Sequence, residues 1–147
     1  FLIADYIQKN FKNDVIMGPD WESYQWAEAI AKHINIDATV LKKTRFSSRH
    51  VKVKMVTKVP IKGKNVIIVD DIISTGHTIA EAAKAARKMG AKTISTIGVH
   101  GLFVENGIDK LKKAGVTKII TTNCIEHKTN KIDITPLLVE ELKKEKR

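Results

Sequence analysis

Apolar residues along this chain recur with two periods, and the two alternate. Short β-branched runs read as strands at Asp14–Met17, Ala38–Leu41, Val66–Val69, Thr93–Val99 and Lys118–Thr122. Between them lie stretches with helical spacing. Residues 1–12 form one, and Glu22–His33 another, with Trp26, Ala29, Ile30 and His33 on one side. Ile79–Met89 closes on Gly90, and Val104–Ala114 closes on Gly115. Val51, Val53 and Met55 alternate with Lys52 and Lys54, the pattern of a half-exposed strand, which leaves Lys42–His50 as the loop of a projecting hairpin. Val59–Lys64, with Pro60 and Gly63, reads as a turn. Ile132–Ile134 reads as a short edge strand, and Pro136–Lys144 as a last helix with Thr135 as its N-cap. This alternation predicts an α/β domain: one parallel sheet with helices on both faces.

One strand carries more chemistry than the others. Val66–Val69 is uninterruptedly apolar, as a strand covered on both faces must be, and it runs directly into Asp70 and Asp71. A hydroxyl-rich turn follows, Ser74-Thr75-Gly76-His77-Thr78, and then the alanine-rich helix. Open α/β sheets bind ligands at the carboxyl ends of their strands. Free N–H groups at a helix start favour an anion, and Gly76 permits a backbone that a Cβ would hinder. Paired carboxylates can accept hydrogen bonds from sugar hydroxyls or hold Mg²⁺ through water. The combination predicts a site for a phosphorylated sugar.

Composition narrows the class. The chain has 147 residues, of which 43% are hydrophobic and 29% charged, as expected of one globular domain. A single cysteine, Cys124, excludes an intrachain disulfide framework and a cysteine-rich zinc site, which fits a reducing cytoplasm. No apolar run reaches membrane-spanning length. The opening Phe1-Leu2-Ile3-Ala4-Asp5-Tyr6 reads as the inside of a helix without an initiator Met, so a preceding portion of a longer protein is expected. The net charge of +10 is unevenly spread: Ala38–Val69 has no acidic residue but holds nine Lys and Arg, from Lys42 to Lys64. Such a window suits a solvated lysine-rich surface, a nucleic-acid contact, or an electropositive flap over a polyphosphate. Its position just before the sugar-phosphate strand favours the flap.

Asp70–Thr78 resembles the phosphoribosyl-binding signature shared by type I phosphoribosyltransferases and ribose-phosphate pyrophosphokinases. Three further segments resemble the second family. Met17-Gly18-Pro19-Asp20 is similar to its Pro-Asp loop, and Leu41-Lys42-Lys43-Thr44-Arg45 to its catalytic flexible loop in the archaeal form. Ile134–Leu142 is similar to its C-terminal helix. The likeness covers nearly the whole chain, but only the C-terminal half of that enzyme; the half contributing most of the ATP site is not represented. It implies a phosphoribosyltransferase-like parallel sheet with a basic flap hairpin. It also implies that ATP and ribose 5-phosphate give 5-phosphoribosyl 1-pyrophosphate and AMP, with Mg²⁺.

Residue by residue, the resemblance implies that Asp70, Asp71 and the turn Ser74, Thr75, Gly76, His77 and Thr78 bind ribose 5-phosphate. Asp20 would lie at the metal and pyrophosphate side. Lys43 would be the catalytic lysine, and Arg45 its partner on substrate and transition state. In a strand, Lys43 and Arg45 share a face while Lys42 does not. Homo-oligomers built from dimers are implied by the same analogy. The sequence departs from the family pattern where His77 replaces a glycine and where Trp21-Glu22-Ser23 follows Asp20 without one. Two backbones are open at His77: a first helical residue whose N–H faces the phosphate, which is favoured, or a distorted turn. Taken alone, Asp20 would be read as the N-cap of the following helix. Trp21 and Trp26 read as packing or interface residues, and the histidines show no metal-type clustering. A stand-alone phosphoribosyltransferase, a catalytically silent assembly subunit with the same fold, and a nucleic-acid module are the competing readings.

Overall fold

The computed structural model describes residues 2–12, 14–47, 50–55 and 59–145; for 42–47 and 50–55 the backbone alone is described. Among the described residues, seven strands form one sheet in the order β3-β2-β1-β4-β5-β6-β7. They are β1 Asp14–Gly18, β2 Asp37–Ser47, β3 His50–Met55, β4 Asn65–Ile73, β5 Thr93–Gly101, β6 Lys118–Thr122 and β7 Asn130–Ile132. Only the β2–β3 pairing is antiparallel. The helices are α1 Leu2–Asn10, α2 Tyr24–Ile34, α3 His77–Lys88, α4 Gly107–Lys113 and α5 Thr135–Glu145. No described helix is long and apolar enough to cross a membrane.

Strand β4 explains the two-sided architecture. Its side chains alternate between faces, and both faces are buried. Val66 and Ile68 pack with Ile79, Ala83 and Ala86 of α3 and Leu111 of α4. Ile67 and Val69 pack with Ala4 and Ile7 of α1 and Ala27, Ile30 and Ala31 of α2. The doubly covered parallel sheet read from the sequence is the one observed.

Several boundaries move, each for a local reason. The buried stripe of α2 is Ala27, Ile30, Ala31 and Ile34, not the side carrying Trp26, Ala29 and His33. Trp26 is 52% exposed, and the His33 ring reaches outward, 3.6 Å from an Asp5 oxygen. Helix α4 starts at Gly107 rather than Val104 because Phe103, Glu105 and Asn106 all have positive φ, which helical backbone excludes. The edge strand lies at Asn130–Ile132, ahead of the expected Ile132–Ile134. Thr135 is the first residue of α5 rather than its cap; its N–H and hydroxyl both donate to Asp133 Oδ1, at 2.9 and 2.6 Å. Gly90 and Gly115 terminate their helices in the left-handed region, as expected.

The hairpin is also regular further than anticipated. Lys42–Ser47 continues β2 instead of forming a loop, and Lys43 pairs with Val53 and Arg45 with Val51. β2 pairs with β1 only as far as Val40, opposite Gly18. Beyond that point the β2–β3 ribbon extends past the carboxyl end of β1. The tip of the expected loop at 48–49 and the side chains of Lys43 and Arg45 lie outside the described residues.

Ile67→Ala should lower unfolding free energy by about 2–5 kcal/mol in urea titrations, since the deleted atoms lie in the fully covered central strand. Ala29→Lys, on the exposed side of α2, should change it by less than about 0.5 kcal/mol. Comparable losses in both variants would contradict the assigned face of α2.

Candidate functional site

The order of the strands determines where a ligand can sit. From β1 the chain crosses through α2 to β2 on one side, while β4 pairs with the other side of β1 and later strands continue outward. The direction of winding therefore reverses between β1 and β4. The segments leaving their carboxyl ends, 19–23 and 74–76, flank a crevice of the kind that receives ligands in open α/β sheets. The projecting β2–β3 ribbon rises from this same end. Two open clefts, of ≈ 380 and ≈ 390 Å³, lie at the opposite, amino ends around Lys118 and around Asp37; neither includes a residue of the crevice.

Across the crevice, the 19–23 loop and strand β4, far apart in sequence, meet through one serine. Ser23 is 5% exposed. Its backbone N–H donates to Asp20 Oδ1 at 3.0 Å. Its Oγ lies 2.9 Å from the same oxygen and 2.8 Å from Asp70 Oδ1. Asp70 Oδ1 also accepts the N–H of Asp71 at 3.1 Å, and Asp71 Oδ1 accepts the N–H of Ile72 at 2.8 Å. Asp20 is thus drawn into a local turn with Ser23, and it is Ser23, not Asp20, that stands at the N-cap position of α2, which begins at Tyr24 rather than Glu22. Ser23, at the N-cap position of α2, makes no side-chain cap of its own; its hydroxyl is committed to the carboxylates.

Burial pushes the Asp70 carboxyl up to about 6, and the neighbouring charges of Asp20 and Asp71 add to the rise, against the opposing hydrogen bond from Ser23. Among the described residues, no positive charge is among the influences on this carboxylate. Among the described residues no three His, Cys, Asp or Glu side chains are gathered as a ready metal-binding group. Asp20 and Asp70 still offer hard oxygen donors at one opening, a set compatible with Mg²⁺ when water and phosphate complete its shell.

The turn after β4 has the backbone that anion binding requires. Gly76 takes the left-handed conformation, with φ 72°, and His77 is the first residue of α3. Of the two backbones open at His77 the regular one is therefore found, because the unusual φ falls on the glycine beside it. His77 is exposed, and its N–H lies 3.3 Å from Thr75 Oγ1. A Cβ at Gly76 would stand 3.1 Å from Leu111 Cγ and 3.3 Å from the carbonyl oxygen of Gly107. Gly107 in turn lets α4 abut the turn, since a Cβ there would meet Ser74 O at 3.0 Å. Ser74, Thr75 and Thr78 are half-buried around the start of α3.

Asp20, Asp70, Asp71 and 74–78 are thus brought to one end of the sheet. Lys43 and Arg45 belong to the ribbon above it, and their side chains are outside the described residues. Sequence reading passed over Ser23 and Gly107. The spacing Asp20-x-x-Ser23 is a local side-chain turn pattern, and Asn106-Gly107 is a turn dipeptide that marks a helix start three residues late. Trp21 is 61% exposed and stacks on Tyr24, with ring centres 5.6 Å apart.

Comparison with known proteins accords with this geometry. The ribose-phosphate pyrophosphokinase of Sulfurisphaera tokodaii is 33% identical over 144 residues, which are 95% of this chain and 50% of that protein. The enzyme of the same name from Pyrococcus furiosus is 38% identical over 134 residues, 91% of this chain and 47% of that protein. The chain spans about half the length of the curated relatives it matches. Among solved structures, phosphoribosylpyrophosphate synthetase from Mycobacterium smegmatis superposes with a TM-score of 0.82 at 27% identity, over 97% of this chain and 48% of that one. An adenine phosphoribosyltransferase from Giardia lamblia shares the fold with a TM-score of 0.65 at 14% identity, over 81% of this chain and 73% of that one. The family model described as "Phosphoribosyl transferase domain" matches residues 1–137, and the chain belongs to that family.

Proposed function

We propose that this domain is the C-terminal half of a ribose-phosphate pyrophosphokinase and binds ribose 5-phosphate in the β1/β4 crevice. The observation that carries the reading is the convergence, at one end of the sheet, of the Gly76 turn with the Asp20–Ser23–Asp70 bridge. A pentose monophosphate offers matching groups: an anion for the start of α3 and vicinal hydroxyls for the carboxylates. The roughly half-length match to the archaeal pyrophosphokinases favours this reading over a stand-alone phosphoribosyltransferase.

In the complete enzyme the ribose 1-hydroxyl attacks the β-phosphorus of ATP, the bond to the α-phosphate oxygen breaks, and AMP leaves. Transfer of this kind relies on alignment and charge stabilisation more than covalent help. Asp70 and Asp71 orient the ring through its hydroxyls. Ser74, Thr75, Gly76, His77 and Thr78 hold the 5-phosphate. Lys43 and Arg45 approach the polyphosphate from the ribbon: Lys43 as a point charge, Arg45 as a planar fork on two oxygens. Asp20, with Asp70 beside it, would hold Mg²⁺ on the pyrophosphate side. That ion, when bound, neutralises charge on the phosphoryl oxygens. Self-association belongs to the same proposal; it is supported by α5, which buries none of its residues and exposes Leu137, Leu138, Val139 and Leu142.

The raised pKa of Asp70 has a consequence for stability. Between its ordinary value of 3.8 and about 6 the folded state binds the proton that the unfolded state has lost. Stability therefore falls as pH rises through that window, and the deficit persists above it. Asp70→Asn keeps an oxygen for Ser23 and removes the charge. It should stabilise the ligand-free protein by about 1 kcal/mol at pH 7.5, after allowance for solvent screening, and by nothing at pH 4. Thermal melts at the two pH values check this, and a benefit at pH 4 alone would contradict the sign.

Calorimetric titration of the wild-type chain with ribose 5-phosphate should give saturable binding; absence of heat at millimolar ligand, with the fold intact, would refute the assigned crevice. In the complete enzyme, Lys43→Ala should lower kcat by roughly 10²–10³ with little change in the KM for ribose 5-phosphate. Steady-state kinetics decide this, and unchanged turnover removes Lys43 from the mechanism.

A further inference from the structure

Three carboxylates of the crevice share a pattern that the reaction alone does not require. In each, the contacts from the described protein fall on one oxygen. Asp20 Oδ1 receives the N–H and hydroxyl of Ser23. Asp70 Oδ1 receives Ser23 Oγ and the N–H of Asp71. Asp71 Oδ1 receives the N–H of Ile72. Among the described residues, no hydrogen bond engages the second oxygen of any of the three. For two of the three, the group that selects the anchored oxygen is Ser23.

We infer that Ser23 is a positioning residue: its buried hydroxyl ties the Asp20 loop to the end of β4 and sets the rotamer in which Asp70 presents Oδ2 to the hydroxyls of a sugar phosphate. The inference deepens the proposed function and rests on it. The hydroxyl reaches Asp70, 47 residues further along the chain. It is nearly inaccessible to solvent, at 5% exposure, so water cannot easily replace it. It has one proton for two carboxylate oxygens at 2.8 and 2.9 Å. That shared donor offsets part of the repulsion between the two carboxylates, and the contact ties the Asp20 loop to β4 across the crevice. Without the hydroxyl, Asp20 keeps the Ser23 N–H and Asp70 the Asp71 N–H, but the link between the two carboxylates is lost and each is held by a single donor. The phosphate turn would be untouched, because it is built from Gly76, Gly107 and the start of α3.

That separation supplies the test. The wild-type chain, Ser23→Ala, Ser23→Cys and Ser23→Thr are titrated with ribose 5-phosphate in Mg²⁺ and, separately, with inorganic phosphate. Ser23→Ala and Ser23→Cys should weaken ribose 5-phosphate on the order of tenfold to a hundredfold, as expected for a lost hydrogen bond to a charged group. Inorganic phosphate should change by less than about twofold, and Ser23→Thr, which keeps the hydroxyl, should recover most of the affinity. Unchanged ribose 5-phosphate binding in the Ala and Cys variants would overturn the inference while leaving the proposed function intact. Equal losses for both ligands would also overturn it, by reducing Ser23 to a general structural role. If the wild-type chain itself fails to bind ribose 5-phosphate, the functional reading falls first and this inference with it. Ser23→Cys, nearly isosteric with serine, serves where Ser23→Ala does not fold.

Discussion

The parallel pairing of β1 with β4 is the constraint from which the rest follows. Register fixes Val15 against Val66 and Met17 against Ile68, so β1 ends just short of the level of Asp70 while β4 runs on to Ile73. Their exits, toward α2 and α3, then stand side by side at a reversal of winding. Without that pairing Asp20 and Asp70 are merely two aspartates fifty residues apart in the chain. With it, a single buried hydroxyl can reach both.

The pairing is maintained by burial on both faces of β4. Val66, Ile67, Ile68 and Val69 are each 2% exposed or less, and each helical layer supplies small residues that let it approach closely: Ala82, Ala83 and Ala86 from α3, Ala27 and Ala31 from α2. The apolar run is interrupted at Asp70, where β4 continues through half-buried Asp70 and exposed Asp71 and Ile72 before Ile73 returns to the core. The strand thus carries a charged residue to the rim of the core without breaking its hydrogen-bond ladder. The raised Asp70 pKa is the electrostatic record of that position. Such a carboxylate lowers the stability of the empty protein, and a ligand that supplies hydroxyl donors or positive charge offsets the cost.

The β2–β3 ribbon brings a second kind of charge to the same end. β2 leaves the sheet after Val40 and continues as a two-stranded hairpin, so its basic residues are carried on regular backbone. Two-stranded ribbons beyond a sheet have little apolar surface to bury and are only marginally stable on their own. Under the proposed function, such a ribbon would serve as a flap over a polyanion, while the carboxylates sit on or beside the rigid central strand.

Much of this was legible in the chain. The continuous β-branched run of β4 could only be a covered strand, and its passage into Asp-Asp and a hydroxyl-Gly turn announced an anion and hydroxyl site. Gly90 and Gly115 marked helix ends because positive φ is cheap only for glycine. Other features were not local. Which side of α2 is buried depends on where α1 and the sheet lie, so Ala27 and Ile34 replaced Ala29 and His33. The late start of α4 depends on a loop of left-handed residues that lets Gly107 rest on Ser74. Ser23 read as a residue of the helix expected over Glu22–His33; its contact with Asp70 is one that no periodicity connects to it. The chain alone therefore determined its elements and which side-chain types follow the apolar run of β4, because these follow from local backbone preference and composition. Only the tertiary structure decided which carboxylates meet and which oxygens they present, because parallel strand pairing and burial act between residues that sequence distance keeps apart.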